Sequence, residues 1–253
     1  IPKTFSDAFK LAMSPRRGPV CINLPRNILA NKEKFKINEK NSSFDNQNST
    51  KANSSYIKKA IKIISNSNKT VIIAGGGIKY NSKYKNVIKL AELLNIPMVT
   101  AAGHGDAIPF NHKLNAGQMG PRGNPVASKL VKEASVIIAL GTRLGFNSTF
   151  YSYENLNKRA KIIQVELEKR MIGRYFPVAV GIYGDAATIA DQLYKEIKKQ
   201  NITLDITKWT NNYLNERKYF LLSRDKFKQK NFPIQPNSLF KQLRQVLPKN
   251  SAI

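Results

Sequence analysis

The sequence predicts an α/β fold: a parallel β-sheet with helices packed on both faces. Short apolar runs rich in β-branched residues ("TVIIA", "IPMVT", "SVIIAL", "KIIQVE", "VAVGIYGD") recur through residues 56–199. Segments with apolar residues three and four apart separate them, the spacing of an amphipathic helix. The runs do not alternate apolar with polar, so each strand is expected to be buried on both sides, as in a parallel sheet with crossover helices.

Taken in order, "TFSDAFKLAM" sets Phe5, Ala8, Phe9 and Ala12 on one helical face. "SPRRGP" breaks that helix, and "VCINLP" reads as a short strand closed by Pro25, with Cys21 as a small buried apolar residue. Residues 30–55 are rich in Asn, Ser and Lys without any period, which predicts a linker. From Tyr56 the alternation begins. Ile57, Ala60, Ile61 and Ile64 share a face ahead of "TVIIA" and the glycines Gly75–Gly77. Val87, Leu90, Ala91 and Leu94 precede "IPMVT"; Ala127, Leu130, Val131 and Ala134 precede "SVIIAL". "KIIQVE" and "VAVGIYGD" follow, and Ala186, Ile189, Ala190, Leu193 and Ile197 mark the last stripe. This is a Rossmann-like arrangement over residues 56–199, with right-handed crossovers bringing every strand C-terminus to one edge. Residues 200–232 carry helical signal but no strand and are expected to link onward; "QPNSLFKQLRQVLPKNSAI" (235–253) reads as a helix and the start of a strand.

Composition narrows the function. The chain has 253 residues, opens at Ile1 rather than Met and closes in an apolar stretch, and is read as an interior portion of a longer protein. One Cys cannot form an internal disulfide, and no Cys/His cluster has zinc-ligand spacing. No apolar run approaches the ~20 residues of a membrane span, so the default reading is cytoplasmic. The net charge of +26 raises nucleic acid as a partner. The lysines are dispersed along polar helical faces without a dense block, however, which favours a solvated surface over a polyanion site.

Polar chemistry gathers at strand ends. Gly75, Gly76 and Gly77 follow the first strand; Gly141, Thr142 and Arg143 follow "VIIAL"; Glu166 ends "IIQVE"; Gly184 and Asp185 open the last helix. Glycine permits close backbone approach, and free amides at a helix start receive phosphate. An Arg can clamp a diphosphate and a Glu can accept from ribose hydroxyls, so the set suits a dinucleotide or an ADP-bearing ligand. Each residue also has a plainer role. "GGG" is not G-x-G-x-x-G and can be a tight turn, Asp185 can be a helix N-cap, and Arg143 can be a surface cation. The Gly/Pro-rich stretch from Ala101 to Pro125 is long for a plain connection and holds both histidines. His104 is a candidate to face a ligand, and His112 sits beside an expected helix cap at Asn111.

In this order, "GPVCINLPRN", "KTVIIAGGGI", "GDAIPFNH…AGQMG", "SVIIALGTRL", "AKIIQVELE" and "VGIYGDA" resemble landmarks of the thiamine-diphosphate-dependent enzymes of the acetolactate synthase and pyruvate oxidase type. "RMIG" (Arg170–Gly173) and "GTRL" are similar to the sulfoacetaldehyde acetyltransferases among them. The resemblance implies a DHS-like central domain (56–199) between the end of a pyrimidine-binding domain (1–29) and the start of a diphosphate-binding domain (233–253). It implies thiamine diphosphate as electron sink, Mg²⁺ on its diphosphate, and a homodimer or homotetramer acting on a small molecule. The implied reaction cleaves the carbon–sulfur bond of sulfoacetaldehyde, releases sulfite and passes the two-carbon unit to phosphate as acetyl phosphate. An acetolactate synthase-like enzyme using pyruvate, or a non-catalytic module binding ADP or FAD, are the alternatives. "GTRL" lacks the acidic and second Arg positions of the flavin motif, which weighs against FAD and toward an inherited corner at Gly75–Gly77. The activating glutamate and the GDG…N motif of the family are not in the sequence, so no catalytic residue is assigned and the chain alone is expected to be inactive.

Overall fold

The structure, a computed structural model, describes residues 1–14, 17–32, 34, 51–80, 84–225, 233–248 and 251. Helices α1 (Pro2–Ala12) and α2 (Arg26–Ala30) come first, and neither buries a residue. "VCINLP" is not a strand. No described segment pairs with it, and a strand without a ladder partner leaves its backbone to water. Cys21 is accordingly exposed rather than buried.

The body of the molecule starts at α3 (Ser54–Ser65), whose N-cap Asn53 accepts from the Ser55 amide. Ala52 just before it exchanges hydrogen bonds with the Gln192 side chain at 2.8 and 3.1 Å, pinning the end of the expected linker; residues 35–50 lie outside the described residues. Then come β1 (Thr70–Ala74), α4 (Lys85–Leu94), β2 (Met98–Thr100), β3 (Asn115–Gln118), α5 (Pro125–Glu133), β4 (Val136–Leu140), the short α6 (Phe146–Thr149), β5 (Lys161–Glu166), β6 (Val180–Tyr183) and α7 (Ala186–Lys199). All six strands are parallel, in the order β3-β2-β1-β4-β5-β6. That is the doubly wound order, which reverses direction between β1 and β4.

Strand side chains alternate between two cores. Ile72, Ile138 and Ile163 join the stripes of α3, α4 and α7, whereas Val71, Ile73 and Ile137 join Leu130 and Val131 of α5. Both faces being covered is why β1 and β4 are buried at every position.

Within the stretch 200–232, expected to link, the described residues 200–225 also complete a core. Helix α8 (Thr207–Asp225) lays Tyr213 and Thr210 into it; the Trp209 indole N–H donates to Thr70 O at 3.1 Å, and Thr210 Oγ1 donates to Asn95 O at 2.7 Å. Helix α9 (Pro236–Val246) again buries nothing, and the strand expected after it falls largely outside the described residues. The stretch after Asn111 is turn rather than helix, so Asn111 caps nothing; His112 instead accepts the Leu114 amide at Nδ1.

Candidate nucleotide cleft at the strand switch point

The C-terminal ends of β1 and β4 meet in a lock of backbone against backbone. Gly75 N–H donates to Leu140 O and Gly77 N–H to Gly141 O, both at 2.9 Å, while Gly141 N–H reaches on to Val165 O at 3.0 Å. A methyl on Gly75 would stand 2.2 Å from Gly141 O, and one on Gly77 2.7 Å from Gly141 Cα. Gly141 itself sits at φ +62°, where a side chain is strained. Gly75 and Gly77 are thus required by the chain's own packing. Gly76 differs: the three atoms nearest a methyl there would all belong to the His104 ring, with Cε1 at 2.6 Å.

Above this lock lies a cleft of about 310 Å³, at the small end for ligand sites. Of the residues singled out in the sequence, Gly76, Gly77, Gly141, Thr142, Arg143 and Glu166 line it, as does His104. Gly75 lies buried beneath. Gly184 and Asp185 do not line it. Gly184 N–H donates to Glu166 O at 3.1 Å, and Asp185 caps α7, its Oδ1 accepting from the Thr188 amide and hydroxyl, each at 2.7 Å.

Two side chains tie the walls together. Gln164, buried on β5, donates to Thr142 O at 3.1 Å and accepts from Gly173 N–H at 2.8 Å, joining the turn after β4 to the turn after β5. Ser148 Oγ accepts from the Ala102 amide at 3.0 Å, joining α6 to the turn after β2. Glu166 is buried, with Oε1 accepting from its neighbour's amide, Leu167 N–H, at 3.0 Å.

Sequence reasoning missed the aromatic rim. Phe146, Phe150 and Tyr151 stand exposed beside the cleft, and Tyr151 stacks on Tyr175 with centroids 4.4 Å apart. A hydrogen bond donated by the Tyr151 hydroxyl to Tyr175, reinforced by burial, raises the Tyr151 phenol above its ordinary pKa. Leu144, Phe150 and Tyr151 all hold positive φ, +50° to +55°, an uncommon backbone for bulky residues that collects at this one wall. The signal was the aromatic density of "GFNSTFYSYE", which has no helical or strand period.

Charge completes the picture. Lys79 Nζ reaches both Asp106 oxygens at 2.8 and 2.9 Å, and that hydrogen bond keeps the Asp106 carboxyl below its usual pKa. Burial, reinforced by Lys79 and Arg143 and opposed by Asp106, lowers the His104 pKa below 6.5. His104 Nδ1 is buried without a hydrogen-bond partner.

The fold is a Rossmann-like, doubly wound α/β domain, and the candidate cleft lies at its switch point. Residues 57–193 match the family described as "Thiamine pyrophosphate enzyme, central domain", and the chain belongs to that family. It is 31% identical over 258 residues to a probable acetolactate synthase large subunit of Methanococcus aeolicus, covering 98% of this chain and 42% of the relative. It is 33% identical over 202 residues to a sulfoacetaldehyde acetyltransferase of Alcaligenes xylosoxydans xylosoxydans, covering 79% and 33%. A sulfoacetaldehyde acetyltransferase of Castellaniella defragrans is 34% identical over 151 residues, covering 59% and 25%. The chain spans about two-fifths or less of the length of these relatives.

Among the described residues no three His, Cys, Asp or Glu converge as metal ligands, so none of them is assigned to Mg²⁺. No described helix is long and apolar enough to cross a membrane.

Proposed function

We propose that this chain is the central region of a thiamine-diphosphate-dependent acyltransferase, and that its cleft holds an adenine nucleotide for structure rather than for chemistry. The observation that carries the nucleotide reading is the convergence of Arg143, Glu166 and His104 on one cleft at the β1/β4 switch point. Arg143 would pair with a diphosphate and Glu166 would accept from ribose hydroxyls. The aromatic rim offers faces for a base. ADP suits the cleft better than FAD, because "GTRL" lacks the acidic and second Arg positions of the flavin motif.

For the parent enzyme, the favoured reaction is release of sulfite from sulfoacetaldehyde with formation of acetyl phosphate, in a cytoplasmic homodimer or homotetramer. "RMIG", "GTRL" and two relatives bearing that name support it. A pyruvate-using acetolactate synthase is the second reading, favoured by a relative matched over 98% of the chain. In the domain reading, 1–29 and 233–253 belong to flanking catalytic domains, 56–199 is the spacer, and 30–55 and 200–232 connect them. The catalytic groups then lie outside this chain. The test is an assay of a protein carrying all three domains, with sulfoacetaldehyde plus phosphate set against pyruvate. Sulfite release supports the first reading; turnover of pyruvate without sulfite release replaces it with the second.

A further inference from the structure

Among the described residues lining the cleft, only His104 has a buried side-chain polar atom without a hydrogen-bond partner. It sits on the turn after β2, its ring packed against Gly76, with Nδ1 sealed from solvent and unpartnered. A buried polar atom without a partner costs about 1–3 kcal/mol and calls for an explanation. A neutral imidazole meets that cost most cheaply by leaving Nδ1 as a bare acceptor, because a buried N–H without an acceptor would be worse. Protonation must place a hydrogen there, against the charge of Lys79 and Arg143.

The charges facing the ring come from every element around it. Lys79, on the 3-10 turn Gly76–Tyr80, and Arg143, after β4, are cationic. Asp106, on the turn Gly105–Ala107, is anionic but already engaged by Lys79. Glu166 and the phenol of Tyr151 line the same cleft farther along. Burial and the two cations therefore disfavour the charged ring. A diphosphate beside Arg143 would reverse the sign of that field.

We infer that His104 is a charge-sensing ligand residue, which takes up one proton from solvent as a phosphate-bearing ligand enters the cleft. This rests on the nucleotide reading above and adds a selectivity to it: the cleft prefers multiply charged anions over neutral or singly charged molecules of the same shape. The direction follows from linkage. If the imidazole midpoint is higher in the complex than in the free protein, binding takes up a proton between the two midpoints, and affinity weakens as pH rises through that window, by at most about tenfold per pH unit.

Proton NMR of the imidazole rings of the 253-residue chain tests this directly, because there are only two histidines. His112, whose Nδ1 accepts from Leu114 N–H and whose Nε2 lies 3.4 Å from Glu92 Oε1, is the internal control. The expected result is a His104 midpoint below 6.5 in the free protein and higher by about one unit or more with saturating ADP, with His112 unmoved. His104→Gln should then remove the part of the pH dependence of ADP affinity that exceeds the ligand's own titration. If ADP shifts the Tyr151 and Tyr175 ring signals but leaves the His104 midpoint in place, the inference falls and the nucleotide reading stands. If millimolar ADP moves no cleft signal, both fall.

Discussion

Gly77 and Gly141 pack backbone to backbone, with Gly77 N–H donating to Gly141 O at 2.9 Å and a methyl on Gly77 placed 2.7 Å from Gly141 Cα. The contact joins the ends of the two strands at which the sheet reverses. It explains why the run following β1 is glycine at Gly75 and Gly77, and it separates those two from Gly76.

Gly75→Ala and Gly77→Ala each force backbone apart and should cost about 2–3 kcal/mol, read as a lower urea midpoint. Gly76→Ala presses first on a side-chain ring that can turn away, so stability should fall by less than about 1 kcal/mol while the His104 signal moves. Equal losses at all three positions would contradict this division.

Gln164→Leu removes the amide that spans both cleft walls and leaves Thr142 O and Gly173 N–H without that partner. The expected loss is about 2–3 kcal/mol of stability, together with weaker ADP binding as the turns after β4 and β5 separate. Unchanged ADP affinity in the folded variant would show that the walls are held by other contacts.

Asp185→Ala tests cap against ligand contact. Loss of the bonds to Thr188 should cost about 1–2 kcal/mol and leave ADP affinity as it was. A fall in affinity without a stability change would restore Asp185 to the binding site.

Tyr213→Ala opens a cavity beneath α8 and should cost about 3–5 kcal/mol. Trp209, the single tryptophan, packs edge-on against Tyr213 with centroids 4.6 Å apart, so its emission should shift to the red as α8 loosens. A wild-type spectrum would mean that α8 is held without Tyr213.

The strands and helices of residues 56–199 were legible because burial on both faces demands unbroken apolar runs and clear helical stripes. The strand β3 was not: "NAGQ" has no β-branched residue and holds the sheet edge through backbone bonds, such as Met119 N–H to Thr100 O at 2.9 Å. "VCINLP" misled for the opposite reason, since strand-forming side chains make no strand without a neighbour. The docking of α8 was hidden by its mixed surface, where Trp209, Thr210 and Tyr213 lie amid polar residues. At the cleft, the strand-end positions of Thr142, Arg143 and Glu166 could be read from local pattern. The seat of His104 against Gly76 could not, because 28 positions separate the two and only the fold brings them together.

The nucleotide cleft is tested most directly by calorimetric titration of ADP into the chain and into its Arg143→Ala variant. The account predicts saturable binding to the wild type, and affinity about tenfold or more weaker when the guanidinium is gone. Identical isotherms for the two proteins, or no heat with either, would contradict it.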